Sequence, residues 1–348
     1  MTRRECVRHA IQKRQPGLVP WQINYTVEYI PLIQEFIGEQ KSESGQLKNT
    51  ADLDHLFENH IYMEKYKRNT SIGKDTEVDL FGLKWNKSGH DGGDIGIPFD
   101  PPLADDSAQE YIFPVPDTDF AKKQIQKLES DDRELFRVFG LTFTLYERAW
   151  GLRGMEDLLA DMQLEPESVH MLMENIIHHH LELLDAVLSS DFDAVYYGDD
   201  YGSQNGLIMG AKHWRTFIKP YLKQLTEKVK SAGKLVILHS CGNIREIIPD
   251  LIEIGVDCYN TVQPELYDLK ELHTEFGRDL CFYGGISNQA FLPFSTPDQV
   301  ERKCLETMRE MHAESGGYIL SPTHNITPDI PPENALAILR AAKMYNCG

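Results

Sequence analysis

From about residue 135 onward the chain alternates short apolar runs with longer amphipathic ones, and few folds accommodate that order. The runs "FDAVYYGDD", "KLVILHSCG", "VDCYNTVQPE", "DLCFYGGISN" and "YILSPTHNI" are apolar with little alternation. Strands buried on both faces read this way. "LFRVFGLTFTLYERAW" also reads as β-rich. Helical periods lie between these runs. "PESVHMLMENIIHHHLELLDAVLSS" has Pro166 near its start. "GAKHWRTFIKPYLKQLTEKVKSAG" is read as one helix kinked at Pro220, with Gly233 at its end. Gly255 and Gly277 close two more, Thr296 and Pro297 open another, and "PPENALAILRAAKMY" is the last. These are the ordinary start and stop signals of helices.

Strict strand–helix alternation through at least five units implies a parallel sheet. An open doubly wound sheet and a closed barrel both satisfy it. The polar residues favour the barrel. Each strand ends in a polar cluster: Glu147 with Arg148, Asp199 with Asp200, His239 with Cys241, Asn260 to Gln263, Ser287 with Asn288, and His324 with Asn325. In a barrel such ends converge on one mouth, where active sites sit. The expected fold class is therefore α/β, a (β/α)8 TIM-type barrel.

The length of 348 residues suits one such domain over 1–348, with regular units over 131–348. Residues 1–130 read as an irregular helical and loop extension that caps the mouth. In it, "DHLFENHIYMEKYK" is a short helix candidate. "SGHDGGDIGIPFDPPLADD" is too polar for a core and reads as a lid. The formal net charge of −19 argues against nucleic acid and against an anionic membrane surface. No run of about 18 apolar residues is present. The N-terminal "MTRRECVRHAIQKRQPG" reads as an amphipathic helix and not a signal peptide. The six cysteines show no framework spacing, so reduced thiols and a cytoplasmic location are expected. Oligomeric state is left open.

"HSCG" carries the chemistry. Residues two apart on an extended segment face the same way, so His239 and Cys241 can bind one ion. Zinc takes imidazole and thiolate, needs a third protein ligand, and in catalytic sites leaves the fourth position to substrate. His324 ends the last strand and is the third-ligand candidate. Cys258 and Cys281 begin their strands and should face the other way. The competing readings are a hydrogen-bonded His239, a filler Cys241 and a His324 that meets substrate without metal. Asp199 and Asp200 are adjacent and point to opposite sides. One of them can enter the mouth as an acid, a substrate contact or the carboxylate that orients a ligand histidine; helix capping is the alternative. Glu147 can be a base or a displaceable ligand, against a salt bridge to Arg148 or Arg153. Gln204, Gln263 and Asn288 suit substrate orientation. Tyr25 and Trp150 can line a pocket for a planar group. His178 to His180 fan out around a helix and read as a surface or partly buried face.

In combination "GDDYGSQ", "LHSCGNI", "IIPDLIEIGVD", "FYGGIS" and "SPTHNITPDIPPENALAI" resemble the uroporphyrinogen decarboxylase superfamily, over roughly residues 135–348. The resemblance implies a (β/α)8 barrel with its site at the C-terminal mouth. One branch, the decarboxylases, carries an R-Q-A-G-R motif for porphyrinogen carboxylates. The matching region here is "GLVPWQINYTVEY", without paired arginines. The other branch comprises zinc-dependent, corrinoid-linked methyltransferases, among them methylcobalamin:coenzyme M methyltransferases and O-demethylase components. They hold zinc through H-x-C and a cysteine in S-P-G-C-G. This chain has "HSC" and "SPTHN", so His324 stands where that cysteine would be. The resemblance thus implies Zn2+ on His239, Cys241 and His324. It implies methyl transfer between a small methylated ether, amine or thiol and a corrinoid (cobalamin). The corrinoid would ride on a separate carrier protein, because no D-x-H-x-x-G cobalamin motif is present. A metal-free decarboxylase and a non-catalytic binding barrel are the alternatives.

Overall fold

The computed structural model describes residues 1–44, 53–88, 96–104 and 111–347. The helices are α1 (Arg3–Ile11), α2 (Tyr29–Ser44), α3 (Leu53–Phe57), α4 (Thr118–Ser130), α5 (Tyr146–Arg153), α6 (Met155–Leu164) and α7 (Pro166–Val187). They continue as α8 (Gly210–Phe217), α9 (Lys219–Ser231), α10 (Ile248–Glu253), α11 (Leu269–Phe276), α12 (Pro297–Glu310) and α13 (Pro332–Cys347). The strands are β1 (Ile61–Lys65), β2 (Asn69–Ser71), β3 (Thr76–Asp79), β4 (Lys84–Asn86), β5 (Ile97–Phe99), β6 (Phe136–Thr142) and β7 (Ala194–Gly198). After them come β8 (Gly202–Ser203), β9 (Gly206–Leu207), β10 (Leu235–His239), β11 (Cys258–Val262), β12 (Cys281–Ile286) and β13 (Tyr318–Pro322).

These elements group into two compact units. One comprises Met63–Asp132 and Arg137–Asp257. Its strands β6, β7 and β10 form a parallel ladder, Val138 opposite Ala194 and Leu235 opposite Ala194, ending with Thr142 and His239 opposite Gly198. Val138, Phe139, Val195, Tyr197, Val236 and Ile237 are fully buried in this ladder. Helix α7 buries Val169, Met173, Ile176, Leu183, Leu184 and Val187, one face at spacings of three and four. The other unit comprises Met1–Tyr62, Arg133–Phe136 and Cys258–Gly348. There β11, β12 and β13 run parallel, with α12 and α13 as the helices of the last two repeats. A capping box starts α12: Thr296 Oγ1 accepts from the Gln299 N–H, and Gln299 Oε1 accepts from the Thr296 N–H at 2.7 Å. The class is the parallel α/β fold of TIM-barrel type, as the strand–helix order led us to expect.

Several local expectations are corrected. "YERAW" is helix α5, not a continuation of strand β6. Its aromatic and branched neighbours suggest strand, but the helix start is set by a distant carboxylate, described below. "IYMEK" is strand β1, so the helix in that stretch is confined to α3. Residues 210–231 are two helices, with Pro220 in the first turn of α9, where its missing N–H costs no hydrogen bond. The first 130 residues hold a four-stranded antiparallel sheet, β2-β3-β4-β5, that the sequence reading missed. Its strands are three or four residues long, too short to display an alternation. Residues 89–95 and 105–106 of the expected lid lie outside the described residues. Of the three histidines expected on a surface or partly buried face, His178 is exposed and His179 and His180 are buried. His179 Nδ1 meets the Pro114 carbonyl at 2.8 Å, and His180 Nε2 meets that of Thr144 at 2.8 Å.

The small sheet is tied to α5 by a buried ion pair. Arg148 Nη1 lies 2.5 Å from Asp79 Oδ2, with side-chain exposures of 9% and 7%. The guanidinium carbon stands 4.2 Å over the Phe81 ring centroid. Asp79 Oδ1 also accepts the N–H groups of Phe81 and Leu83, at 2.9 and 3.1 Å. Removing one partner leaves the other buried and uncompensated. Arg148→Met is therefore expected to lower stability by about 3–5 kcal/mol. Denaturant titration reads the loss, and a change of under about 1 kcal/mol would remove the pair from the list of stabilising contacts.

Candidate metal centre

The site is assembled where β7 and β10 end side by side. Four apolar residues of β10, Leu235 to Leu238, are buried, and His239 is the last residue of the strand. Its carbonyl accepts the Asp199 N–H at 3.0 Å, which extends the ladder one step past β7. Ser240 is fully buried, and its Oγ accepts the Tyr201 N–H at 2.9 Å. The Asn243 N–H donates to the Ser203 carbonyl at 2.8 Å. The loops that follow the two strands thus run in contact. Two glycines allow it. A Cβ on Gly242 would stand 2.2 Å from the Gly202 carbonyl carbon, and Gly242 has φ +79°. A Cβ on Gly202 would stand 2.7 Å from the Cys241 carbonyl oxygen.

Three different donors meet at this crossing. His239 Nε2 is 3.5 Å from Cys241 Sγ and 3.5 Å from Asp200 Oδ1. The same Asp200 oxygen accepts the Cys241 backbone N–H at 2.8 Å. Among the described residues, Asp200, His239 and Cys241 form a group whose ligating atoms all lie within 4.8 Å of one another. Burial, followed by the charge of Asp200, pushes the metal-free Cys241 thiol well above its ordinary pKa.

The adjacent carboxylate turns the other way. Asp199 is fully buried and accepts three backbone N–H groups, from Leu145, Tyr146 and Glu147, at 3.1, 2.8 and 2.7 Å. It therefore caps the N-terminus of α5 from 52 to 54 residues away. Burial raises its pKa to about 7, and the backbone donors oppose that rise. Glu147 follows in the first turn of α5 and accepts the Asp200 N–H. Burial first, then the charges of Asp200 and Asp199, holds its carboxyl well above the usual range. The arginines considered as its partners pair with Asp79 and Asp161.

The remaining expected residues are spread over both units. Trp150 lies on α5 with Glu147, its ring 6.1 Å from that of Phe143. Gln204 is exposed in the turn between β8 and β9. In the other unit, Gln263 and Asn288 are buried and Tyr25 is half-buried, its ring 6.0 Å from that of Phe57. The Asn288 amide donates to the Asn325 carbonyl at 2.8 Å and accepts the His324 N–H at 3.3 Å. Its polar atoms thus hold the segment that bears His324. His324 is exposed and belongs to this unit, whereas Asp200, His239 and Cys241 belong to the first. The sequence reading overlooked Ser240, Gly202 and Gly242; the glycines of "DYG" and "SCG" were the available signal.

A family model described as Uroporphyrinogen decarboxylase (URO-D) matches residues 129–345. The chain is 20% identical to the methylated-thiol–coenzyme M methyltransferase of Methanosarcina mazei over 192 residues, 55% of this chain and 49% of that protein. It is 22% identical to a uroporphyrinogen decarboxylase of Chloroherpeton thalassium over 223 residues, 62% of this chain and 61% of that one. It is 24% identical to the methylcobamide:CoM methyltransferase MtaA of Methanosarcina barkeri over 161 residues, 46% of this chain and 44% of that one. The chain thus spans about half to three fifths of the length of these curated relatives. A solved structure, a methyltransferase from Methanosarcina mazei, superposes with a TM-score of 0.74 at 16% identity, covering 99% of each chain. At that identity the likeness speaks for the fold.

Proposed function

The chain belongs to the uroporphyrinogen decarboxylase family, and from that premise we propose that it is a zinc-dependent methyltransferase. It moves a methyl group between a small methylated ether, amine or thiol and a corrinoid carried on a partner protein. The observation that carries this reading is the His239–Cys241 pair, whose ligating atoms stand 3.5 Å apart at the end of β10. A nitrogen and a sulfur at that separation suit one tetrahedral ion, and a carboxylate oxygen lies within reach of both. Two of the relatives are named as coenzyme M methyltransferases, which supports the same branch.

When bound, zinc polarises the heteroatom that gains or loses the methyl group, or lowers the pKa of a thiol acceptor. The protein does the rest. His239 and Cys241 hold the ion. Asp199 fixes the start of α5 and so the position of Glu147. Glu147, whose carboxyl burial and the neighbouring carboxylates hold above its usual range, is the proposed acid–base group facing the substrate. Trp150 on the same helix, and Gln204, Gln263, Asn288 and Tyr25, are the proposed substrate contacts.

Loading requires Cys241 to lose its proton. Zinc affinity is therefore expected to rise with pH, by about tenfold per unit while one proton is displaced. Chelator competition at pH 6, 7 and 8 measures it, and a flat profile would exclude Cys241 as a ligand.

The reading is tested by incubating zinc-loaded protein with methylcobalamin and a thiol, or with cob(I)alamin and an aryl methyl ether or a methylamine. Zinc-dependent change of the corrinoid spectrum in either direction supports it. The second reading, a metal-free decarboxylase, is favoured by the name of the Chloroherpeton thalassium relative. Release of carbon dioxide from uroporphyrinogen without zinc, and no corrinoid change, would replace the first reading by the second.

A further inference from the structure

We infer that Asp200 is the third protein ligand of the ion held by His239 and Cys241, an assignment that rests on the zinc reading above. Distances are the first argument. With bonds of about 2.0–2.1 Å to nitrogen and about 2.3 Å to sulfur, tetrahedral zinc separates those two atoms by about 3.6 Å; nitrogen and a carboxylate oxygen are separated by about 3.3–3.4 Å. The observed separations from His239 Nε2 are 3.5 Å to Cys241 Sγ and 3.5 Å to Asp200 Oδ1. Both separations from the imidazole are close to those values, and all three ligating atoms lie within 4.8 Å of one another.

Local covalent and hydrogen-bond constraints are the second argument. Asp199 is committed to the N-terminus of α5 by three N–H donors. On an extended segment the next side chain points to the other side, which turns Asp200 toward His239. Its Oδ1 is tied to the Cys241 N–H at 2.8 Å, so carboxylate and thiol are positioned by the same backbone. The contact of Gly202 with Gly242 fixes the two loops that carry them. A ligand held by rigid neighbours loses little entropy on binding.

Charge is the third argument. A neutral imidazole, a thiolate and a carboxylate bring two negative charges to a dication. With two imidazoles and a thiolate as its ligands the ion's own sphere would stay net positive, with the Asp200 carboxylate 3.5 Å from His239 Nε2 left outside it. Three protein ligands also leave the fourth position for substrate.

The test measures zinc affinity by competition with a chromophoric chelator, together with the absorption spectrum of the cobalt(II) form, in the full chain. Asp200→Asn keeps an oxygen acceptor for the Cys241 N–H but removes the charge. It is expected to bind zinc more weakly by well over the roughly 10–100-fold that loss of an outer-shell carboxylate costs, while His324→Ala binds as the wild type does. Asp200→Cys should restore tight binding and double the sulfur-to-cobalt charge-transfer intensity. Unchanged affinity in Asp200→Asn, or loss of zinc in His324→Ala alone, overturns the assignment and leaves the zinc reading standing. A wild type that takes up no zinc removes both. Should Asp200→Asn fail to fold, Asp200→Cys decides: a folded variant with one thiolate's intensity overturns the assignment.

Discussion

Cys241→Ala is expected to lose zinc and methyl transfer together. The thiolate is the softest donor at the site and the one whose sulfur lies 3.5 Å from His239 Nε2. Without it an imidazole and a carboxylate remain, too few protein ligands for a closed set of three. Activity should fall by at least about a thousandfold if zinc supplies the polarisation, since a Lewis acid contributes several kcal/mol of charge stabilisation. The fold should survive. Cys241 lies beyond β10, whose four apolar residues are buried independently of the thiol. Metal content and thermal unfolding separate the effects. Wild type should gain stability on zinc addition by mass action, and the variant should gain none. A Cys241→Ala protein that retains one zinc per chain and full activity would sink the zinc scheme.

Gly242→Ala is expected to damage stability and metal binding at once. The residue has φ +79°, which an L side chain adopts at a cost of about 1–2 kcal/mol. Its Cβ would also stand 2.2 Å from the Gly202 carbonyl carbon, and that neighbour is backbone, so no side chain can swing away. The loops must separate, at a further cost of about 1–3 kcal/mol. Cys241 immediately precedes Gly242, and Asp200 lies two residues before Gly202, so the donors move apart with the loops. Gly210→Ala is the matched control. Gly210 has φ +72° but open space around its Cβ position, so only the conformational strain applies. A Gly242→Ala variant no less stable than Gly210→Ala, with wild-type zinc affinity, would mean that the crossing does not fix the ligands.

The metal pair was legible because two local rules coincide in "ILHSCG". An apolar run identifies the end of a buried strand, and spacing by two puts His239 and Cys241 on one side of it. Asp200 was visible as a polar strand end but not as a donor to the same ion, because the distance that matters is to a residue of another strand, 39 positions away. Glu147 was located at the end of β6, but its helix was read as strand. Helix α5 begins where Asp199 supplies a cap from more than fifty residues downstream, and no local period encodes that. The Asn288 amide was legible as a polar group at a strand end, but its bonds to the backbone of His324 and Asn325, 36 and 37 residues away, were not.

Sequence alone determined the α/β class, the alternation of the main parallel strands with helices from Pro166 onward and the H-x-C pair, and no helix among the described residues is long and apolar enough to cross a membrane. These follow from hydrophobic period, caps and spacing, which act over a few residues and are written in them. Only the tertiary structure decided which carboxylate caps a helix and which faces the imidazole and thiol. It also revealed the two glycines that let the loops touch and the antiparallel sheet pinned by Arg148 and Asp79. Those depend on contacts between segments tens of residues apart, where packing and long-range hydrogen bonds override local preference.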